Sequence, residues 1–185
     1  SLLVAFDLDA ARERVLATVA AREVQQGPAA WSPDGRTIAA SLLRPAPDLE
    51  TTVAFFDAQS GARRDFLKLT RTILASLAWL PDGRGLVASG QDLTSTANDQ
   101  VFLIRHPEAR LERVTNDFNR YLGVSVSGGE EAVAALRVTR LANLWLADAE
   151  GGPARPLTSI TSPEDSPMGI AATGAGSLVY SAPRD

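Results

Sequence analysis

Residues 29–41 read AAWSPDGRTIAAS, and residues 77–89 read LAWLPDGRGLVAS. Each stretch is a short apolar run, a Pro-Asp-Gly turn and a second apolar run. In such a turn proline presets φ, aspartate bonds its own backbone, and glycine takes a positive φ. A turn of this kind between two β-prone runs predicts a β-hairpin. The tryptophans of the two copies are 48 residues apart, which indicates a structural repeat.

Two weaker copies of this hairpin follow along the chain. Residues 123–136 place Val126 where the tryptophan stood, and residues 169–181 place Ala172 there. Both copies lack Pro-Asp-Gly, but each keeps a glycine-rich turn between apolar runs. The repeat therefore extends to the last residues of the sequence.

A second type of hairpin alternates with the first. Its copies begin at Leu2, Thr52, Val101 and Asn143, and each ends in a strand that carries arginine. The copy that begins at Thr52, for example, reads TVAFFDAQSGARRDFL. Eight hairpin arms in alternation, with a period near 47 residues, leave little room for helices.

Repeats of about 40–45 residues with four strands each are typical of β-propellers, in which every repeat is one blade. The sequence therefore predicts an all-β fold, with 1–185 as one partial propeller domain of about four blades of four-stranded antiparallel sheet. Four blades would be at the lower limit for closure of a ring. An antiparallel sandwich is disfavoured because it has no reason to repeat one turn every 48 residues. The predicted blades are 27–68, 73–115, 120–158 and a composite blade of 167–183 plus 2–19.

Composition excludes several classes of function. The chain has 18 Lys and Arg against 22 Asp and Glu, and its arginines are scattered. A nucleic-acid-binding protein normally carries a basic patch, so neither nucleic acid nor direct membrane contact is expected. No apolar run reaches the roughly 18 residues of a membrane span. The absence of cysteine excludes disulfides, thiolate metal sites and cysteine nucleophiles.

The turn motif resembles the WD-like repeats of TolB-like propellers, and the resemblance covers the whole chain. Because TolB-like propellers are usually larger than four blades, the resemblance favours an arc of a larger six- to eight-bladed propeller over a closed ring. The segments TNDFNRY (115–121) and LANLWLAD (141–148) are similar to elements of TolB-like propellers fused to bacterial serine/threonine kinases and transcriptional regulators. The resemblance implies a non-catalytic interaction or ligand-sensing module of a larger bacterial signalling protein. It also favours an extracytoplasmic or periplasmic location, with a parent protein anchored in a membrane.

The longest loops of the predicted propeller share one face, which we name the loop face: 42–51, 90–100, 115–123 and 161–169. Exposed loops on a rigid scaffold are where binding residues tend to lie. We expect this face to contact a protein partner or a small ligand. For 115–121 an alternative stays open, in which Asn and Asp cap a turn and the tyrosine packs between blades. The candidate binding residues are Asn116, Asp117, Asn119, Arg120, Tyr121, Arg44, Asp92 and Asn98.

The opposite face carries the short turns, and we name it the tight-turn face. Its aspartates are interpreted as turn residues that bond local backbone, not as acid or base groups. The three tryptophans are interpreted as core between blades. His106, the only histidine, directly precedes Pro107, and neither a metal site nor a catalytic triad is expected there. The residues assigned to the structural repeat are Trp31, Pro33, Asp34, Gly35, Trp79, Pro81, Asp82, Gly83 and Trp145.

No catalytic constellation and no cofactor site is predicted, so the chain is not expected to be an enzyme. One alternative is the gating propeller of a prolyl-oligopeptidase-like serine peptidase, whose catalytic domain would lie outside this chain. That domain would carry a G-x-S-x-G motif, which this sequence lacks. A lactonase-like metal hydrolase is disfavoured because hard cations need oxygen ligands on the inner strands, and those strands carry no carboxylate before the turn.

Overall fold

The computed structural model describes residues 2–45, 47, 49–95, 98–117, 119–128, 132–139, 141–161, 168–172 and 176–181. Within these ranges all the regular secondary structure is β-strand, which confirms the predicted all-β fold. The chain divides into two compact units, 1–137 and 138–185. Each unit is described below by itself.

The described part of the first unit forms two four-stranded antiparallel sheets and two two-stranded sheets. In the four-stranded sheets the strand order follows the chain order, so each sheet is a meander. The strands are β1 (Leu2–Asp7), β2 (Arg12–Thr18), β3 (Val24–Trp31), β4 (Thr37–Arg44), β5 (Glu50–Asp57), β6 (Arg63–Thr70), β7 (Thr72–Trp79), β8 (Gly85–Asp92), β9 (Gln100–Arg105), β10 (Arg110–Arg113), β11 (Arg120–Val126) and β12 (Val133–Val138). The sheets are β1–β2, β3–β6, β7–β10 and β11–β12.

The middle strands of the first four-stranded sheet are buried on both faces. In β4 and β5, successive side chains point to opposite sides of the sheet. Phe56 lies in a core with Leu3 and Leu16 of the β1–β2 hairpin. Its neighbour Phe55 lies in a core with Leu74 and other residues of the second four-stranded sheet. Sheets stacked in chain order, with a core in each gap, are the arrangement of propeller blades.

Hydroxyl groups bond one blade to the next. The Ser41 hydroxyl donates to the carbonyl oxygen of Leu74 at 2.9 Å, which joins β4 to β7. The repeat-equivalent Ser89 accepts a hydrogen bond from the amide of Gly123 at 3.1 Å, which joins β8 to β11. These serines end the two sequence copies quoted first, so the repeat includes the contact between blades.

The second unit contains short strands in its described part: β13 (Trp145–Leu146), β14 (Arg155–Pro156), β15 (Met168–Ala172) and β16 (Leu178–Ser181). β13 pairs with β14 and β15 with β16, both antiparallel. The β13–β14 hairpin is held by the Thr158 hydroxyl, which accepts from the Leu144 amide at 2.9 Å and donates to Asn143 Oδ1 at 3.1 Å.

The described residues therefore include two complete blades, β3–β6 and β7–β10. The predicted third blade over 120–158, the composite blade and the single domain over 1–185 stay predictions. The fold class, a partial β-propeller, is confirmed.

Candidate functional site

The loop-face segment 115–121 is organised by a buried glutamine. Gln100, the first residue of β9, is fully buried although its side chain is polar. Its Nε2 donates to the carbonyl oxygens of Asp117 at 3.0 Å and Asn119 at 3.1 Å. Its Oε1 accepts from the Thr115 hydroxyl at 2.8 Å and from the Asp117 amide at 3.3 Å. The side-chain amide of Gln100 thus holds the backbone of the loop.

The Asp117 carboxylate holds the upper side of the same loop. One oxygen accepts from the Asn119 amide at 2.9 Å, and the other accepts from the Tyr121 hydroxyl at 2.8 Å. Partial burial raises the pKa of the Asp117 carboxyl, but the hydrogen bonds from Tyr121 and Asn119 outweigh this effect and leave the pKa below its ordinary value. The bond to Asp117 raises the pKa of Tyr121. The aspartate is therefore a fixed anion at neutral pH.

Arg113, the last residue of β10, connects this loop to the loop after β8. Its Nη2 donates to Asp92 Oδ2 at 2.8 Å and to the Ser95 hydroxyl at 3.1 Å. Its Nη1 donates to Asn116 Oδ1 at 3.3 Å. Hydrogen bonds from Thr94, and the nearby Arg113 charge, hold the pKa of the Asp92 carboxyl below its usual range against the effect of burial. Asp92 and Asn116 thus belong to one polar cluster.

The other candidates on the loop face lie nearby or apart. Arg120 forms an ion pair with Asp99, with Nη2 at 2.6 Å from Oδ2. Asn98 lies half-buried just before β9. Arg44, at the end of β4, pairs with Glu50 across the start of β5 at 3.6 Å. The structure therefore connects Asp92 to the 115–121 segment, and it places Arg44 in a separate ion pair on the preceding blade.

Sequence reasoning missed three residues of this cluster: Gln100, Asp99 and Arg113. The available signal was the glutamine that opens the apolar strand QVFLIR, because a polar residue at a buried strand position needs hydrogen-bond partners. The predicted alternative for 115–121, in which Asn and Asp side chains cap a turn, describes Asp117 well. It does not describe Asn116, whose side chain is exposed.

On the tight-turn face the Pro-Asp-Gly aspartates bond local backbone. Asp34 Oδ1 accepts from the Arg36 amide at 3.0 Å and from the Ser32 hydroxyl at 2.6 Å. Asp82 Oδ1 accepts from the Arg84 amide at 2.9 Å. The Ser32 hydrogen bond comes first among the causes that hold the pKa of Asp34 below its ordinary value. Both carboxylates therefore stabilise the turns in which they lie.

The three tryptophans differ in their surroundings. Trp79 packs against Phe55 with ring centroids 5.2 Å apart, and its Nε1 donates to the Ala30 carbonyl oxygen at 3.2 Å. Trp31 is 53 % exposed and Trp145 is 61 % exposed. The prediction of inter-blade core is therefore wrong for Trp31. For Trp145, which lies in the second unit, it stays a prediction. Ala5 of the β1–β2 hairpin lines a cleft with Trp31, and the residue at the same repeat position beside Trp79 is Phe55. The small side chain of Ala5 therefore leaves Trp31 more exposed than Trp79. Trp145 lies in a hairpin of two-residue strands.

Val126 stands at the repeat position of Trp79, and the smaller side chain leaves space. The Leu80 amide donates to the carbonyl oxygen of Gly85, and the Ser127 amide donates to that of Ala132 in the next repeat. Trp79 and Val126 directly precede these two donors, so they occupy equivalent positions. Beside Val126 lies a cavity of about 390 Å³ between the β7–β10 sheet and the β11–β12 hairpin. Its walls are mainly Leu and Val side chains. The replacement of tryptophan by valine in this degenerate repeat thus leaves an apolar cavity.

His106 lies within an aromatic cluster on the tight-turn face. Its ring centroid is 5.4 Å from that of Phe66 and 5.8 Å from those of Phe55 and Trp79. Within the described ranges no three His, Asp or Glu side chains converge as metal ligands would. The same part of the chain contains no helix long and apolar enough to cross a membrane.

Comparison with solved structures finds the same architecture. TolB from Acinetobacter baumannii matches with a TM-score of 0.57 and 15 % identity over 96 % of this chain and 45 % of its own. A protein assigned as TolB in Agrobacterium tumefaciens matches with a TM-score of 0.55 and 18 % identity over 79 % of this chain and 52 % of its own. No protein-family model matches the chain, and no curated protein shows a significant match.

These similarities define the class of fold: the chain has the fold of TolB-like β-propellers. It spans about half the length of the two TolB structures. At 15–18 % identity the likeness shows fold alone, so function must be argued from the sites.

Proposed function

We propose that this chain is a non-catalytic interaction region of a larger bacterial signalling protein, and that it binds a protein partner through the loop face around 115–121. One observation carries the proposal: the fully buried Gln100 side chain bonds the backbone of this surface loop at Asp117 and Asn119. Interaction surfaces gain affinity when their loops are ordered before binding, because less conformational entropy is lost.

The chemistry of the loop fits a polar contact surface. Asn116 and Asp117 are exposed, while Arg113 and Tyr121 hold them in place. An amide that can donate and accept, beside a fixed carboxylate, suits hydrogen bonding to a partner's backbone or basic side chains. Nothing in this cluster resembles a nucleophile with an adjacent base, so binding is the function that its geometry supports.

The test compares protein capture by wild-type chain and by two variants immobilised at equal density. Asn116→Ala removes an exposed contact group, and Gln100→Leu removes the anchor of the loop. Arg36→Ala, on the tight-turn face, is the control. We expect proteins from an extract of the source cells to be retained by wild type and by Arg36→Ala, and to be lost from both loop variants. A retained set that is identical for all four chains would refute the proposal.

A further inference from the structure

The clefts between successive sheets on the tight-turn face repeat the same pair of side chains. Arg14 lies opposite Ala5 in the β1–β2 hairpin, and Arg64 lies opposite Phe55 in the next sheet. The two arginines therefore occupy equivalent repeat positions. Arg14 lines a cleft with Trp31, and Arg64 lines the following cleft with Trp79.

In the first of these clefts the arginine is fully engaged. Arg14 donates to the carbonyl oxygen of Ala58 at 2.7 Å and to that of Gln59 at 2.6 Å. Both carbonyls belong to the turn between β5 and β6. These bonds occupy both terminal nitrogens of the guanidinium, so Arg14 acts as a clamp between hairpins.

In the second cleft the equivalent arginine, Arg64, does not bond the carbonyl oxygens of a neighbouring turn. Here the corresponding turn begins with His106, and the Arg64 side chain makes no hydrogen bond or ion pair with any residue that the structure describes. Its guanidinium lies over the Phe55 ring, 5.5 Å from the centroid. The side chain is exposed to solvent at the mouth of the cleft. A planar cation with five donors therefore faces open space.

The wall beside Arg64 is aromatic, with the ring planes of Trp79 and His106 at 77° to each other. Trp79 and His106 line a cavity of about 490 Å³, with Phe55 at its base. The ring centroids of Phe55 and Trp79 are 5.2 Å apart, and those of Trp79 and His106 are 5.8 Å apart. This volume lies within the range of small-ligand pockets. Polar side chains line the rest of the cavity: Ser32, Asp34, Thr37 and Asp82.

We propose that this cleft binds a single carboxylate group carried on an apolar body. Arg64 receives the carboxylate, because a guanidinium fork matches two carboxylate oxygens. The apolar body lies against Trp79 and His106. The site is on the face opposite the proposed loop-face contact and does not depend on it.

The charges at the rim disfavour a dianion more than a monoanion. Asp34 and Asp82 both line the cavity, and their carboxylates are bonded to the amides of Arg36 and Arg84. Two fixed negative charges beside one arginine disfavour a dianionic phosphate more than a carboxylate. We therefore expect carboxylates to bind more tightly than phosphates of the same size.

The test is a titration of the full chain with 3-phenylpropionate, followed by calorimetry and by the NMR signal of the Trp79 indole N–H. The neutral 3-phenylpropionamide is the matched ligand control, and Arg14→Gln is the matched protein control. We expect saturable binding that shifts the Trp79 signal and weakens tenfold or more in Arg64→Gln. The amide should bind wild type as weakly as the acid binds Arg64→Gln, and Arg14→Gln should retain the wild-type affinity.

Several outcomes would overturn the proposal. These are no saturable binding at millimolar ligand, equal affinity for acid and amide, or tighter binding of phenyl phosphate. If Arg64→Gln does not fold, the comparison of acid with amide on wild type decides the question alone. Gln100→Leu should leave phenylpropionate binding unchanged, so a failure of the loop-face proposal and a failure of this one are distinguishable.

Discussion

Gln100 donates a hydrogen bond from its fully buried side chain to the carbonyl oxygen of Asp117, with Nε2 and O 3.0 Å apart. The two residues are 17 positions apart, and the bond connects the start of β9 to the loop before β11. Replacing the donor with an apolar side chain leaves the loop carbonyls of Asp117 and Asn119 without this partner.

Gln100→Leu should therefore destabilise the chain by about 2–3 kcal/mol, because buried polar groups that lose their partners retain the cost of desolvation. Hydrogen exchange at the Asp117 amide, which donates to Gln100 Oε1, should become faster. Gln59→Leu is the control at an exposed position and should change stability by less than about 0.5 kcal/mol. An equal effect of both substitutions in urea unfolding would show that the glutamine does not anchor the loop.

Gly27 and Gly35 provide a matched pair for testing how closely the sheets pack. Both have left-handed backbones, with φ of 66° and 70°. A Cβ on Gly27 would lie 1.8 Å from the carbonyl oxygen of Ala75 in the next sheet, whereas a Cβ on Gly35 would meet nothing within 4 Å. The first substitution adds a backbone clash to the conformational strain, and the second adds strain alone.

Gly35→Ala should cost about 1–2 kcal/mol, and Gly27→Ala should cost more than about 3 kcal/mol or prevent folding. Thermal or urea unfolding of the two variants beside wild type measures the difference. Similar midpoints for the two variants would mean that a Cβ on Gly27 does not clash with β7.

The sequence predicted the features that depend on local chemistry. The Pro-Asp-Gly turns predicted the hairpins β3–β4 and β7–β8, because turn residues set φ wherever they occur. The 48-residue period predicted stacked four-stranded sheets, because each repeat buries its apolar faces against the next. These features need no knowledge of distant partners.

The features that the sequence did not predict correctly, or did not predict at all, depend on a partner from another repeat. Trp31 and Trp79 have the same local sequence context, yet only the second meets a phenylalanine across its cleft. Arg14 and Arg64 differ for the same reason, because the turn opposite each arginine differs. The role of Gln100 also depends on a loop 17 residues away. Such pairings become visible only in three dimensions.

Ser41 and Ser89 offer a test of the contact between blades. Each is fully buried at the same repeat position, and each bonds to the backbone of the next sheet. Replacing either serine with alanine leaves a backbone group in the gap without that bond, so each change should cost about 1–2 kcal/mol. Ser125→Ala, at an exposed position of β11, should cost less than about 0.5 kcal/mol. If the buried and exposed serines behave alike in urea unfolding, the hydroxyls do not join the blades.

The ion pair between Glu23 and Arg63 predicts a dependence of stability on pH. Glu23 is 7 % exposed, and its carboxylate accepts two hydrogen bonds from the Arg63 guanidinium, at 2.6 and 3.0 Å. These bonds, opposed by burial and aided by the arginine charge, lower the pKa of Glu23 from 4.5. A carboxyl whose pKa is lower in the folded state stabilises that state above its unfolded pKa. The contribution is lost as the pH falls through the folded value.

Glu23→Gln keeps the shape of the side chain and removes its charge. At pH 7 it should cost about 1–2 kcal/mol, between the values typical of exposed and of buried pairs, because Arg63 remains partly exposed. The difference from wild type should stay constant down to about pH 5 and then shrink as the wild-type carboxyl becomes protonated. Urea unfolding at a series of pH values measures this, with the exposed Glu13→Gln as control. A difference that is independent of pH would show that the lost stability comes from packing and not from the charge of Glu23.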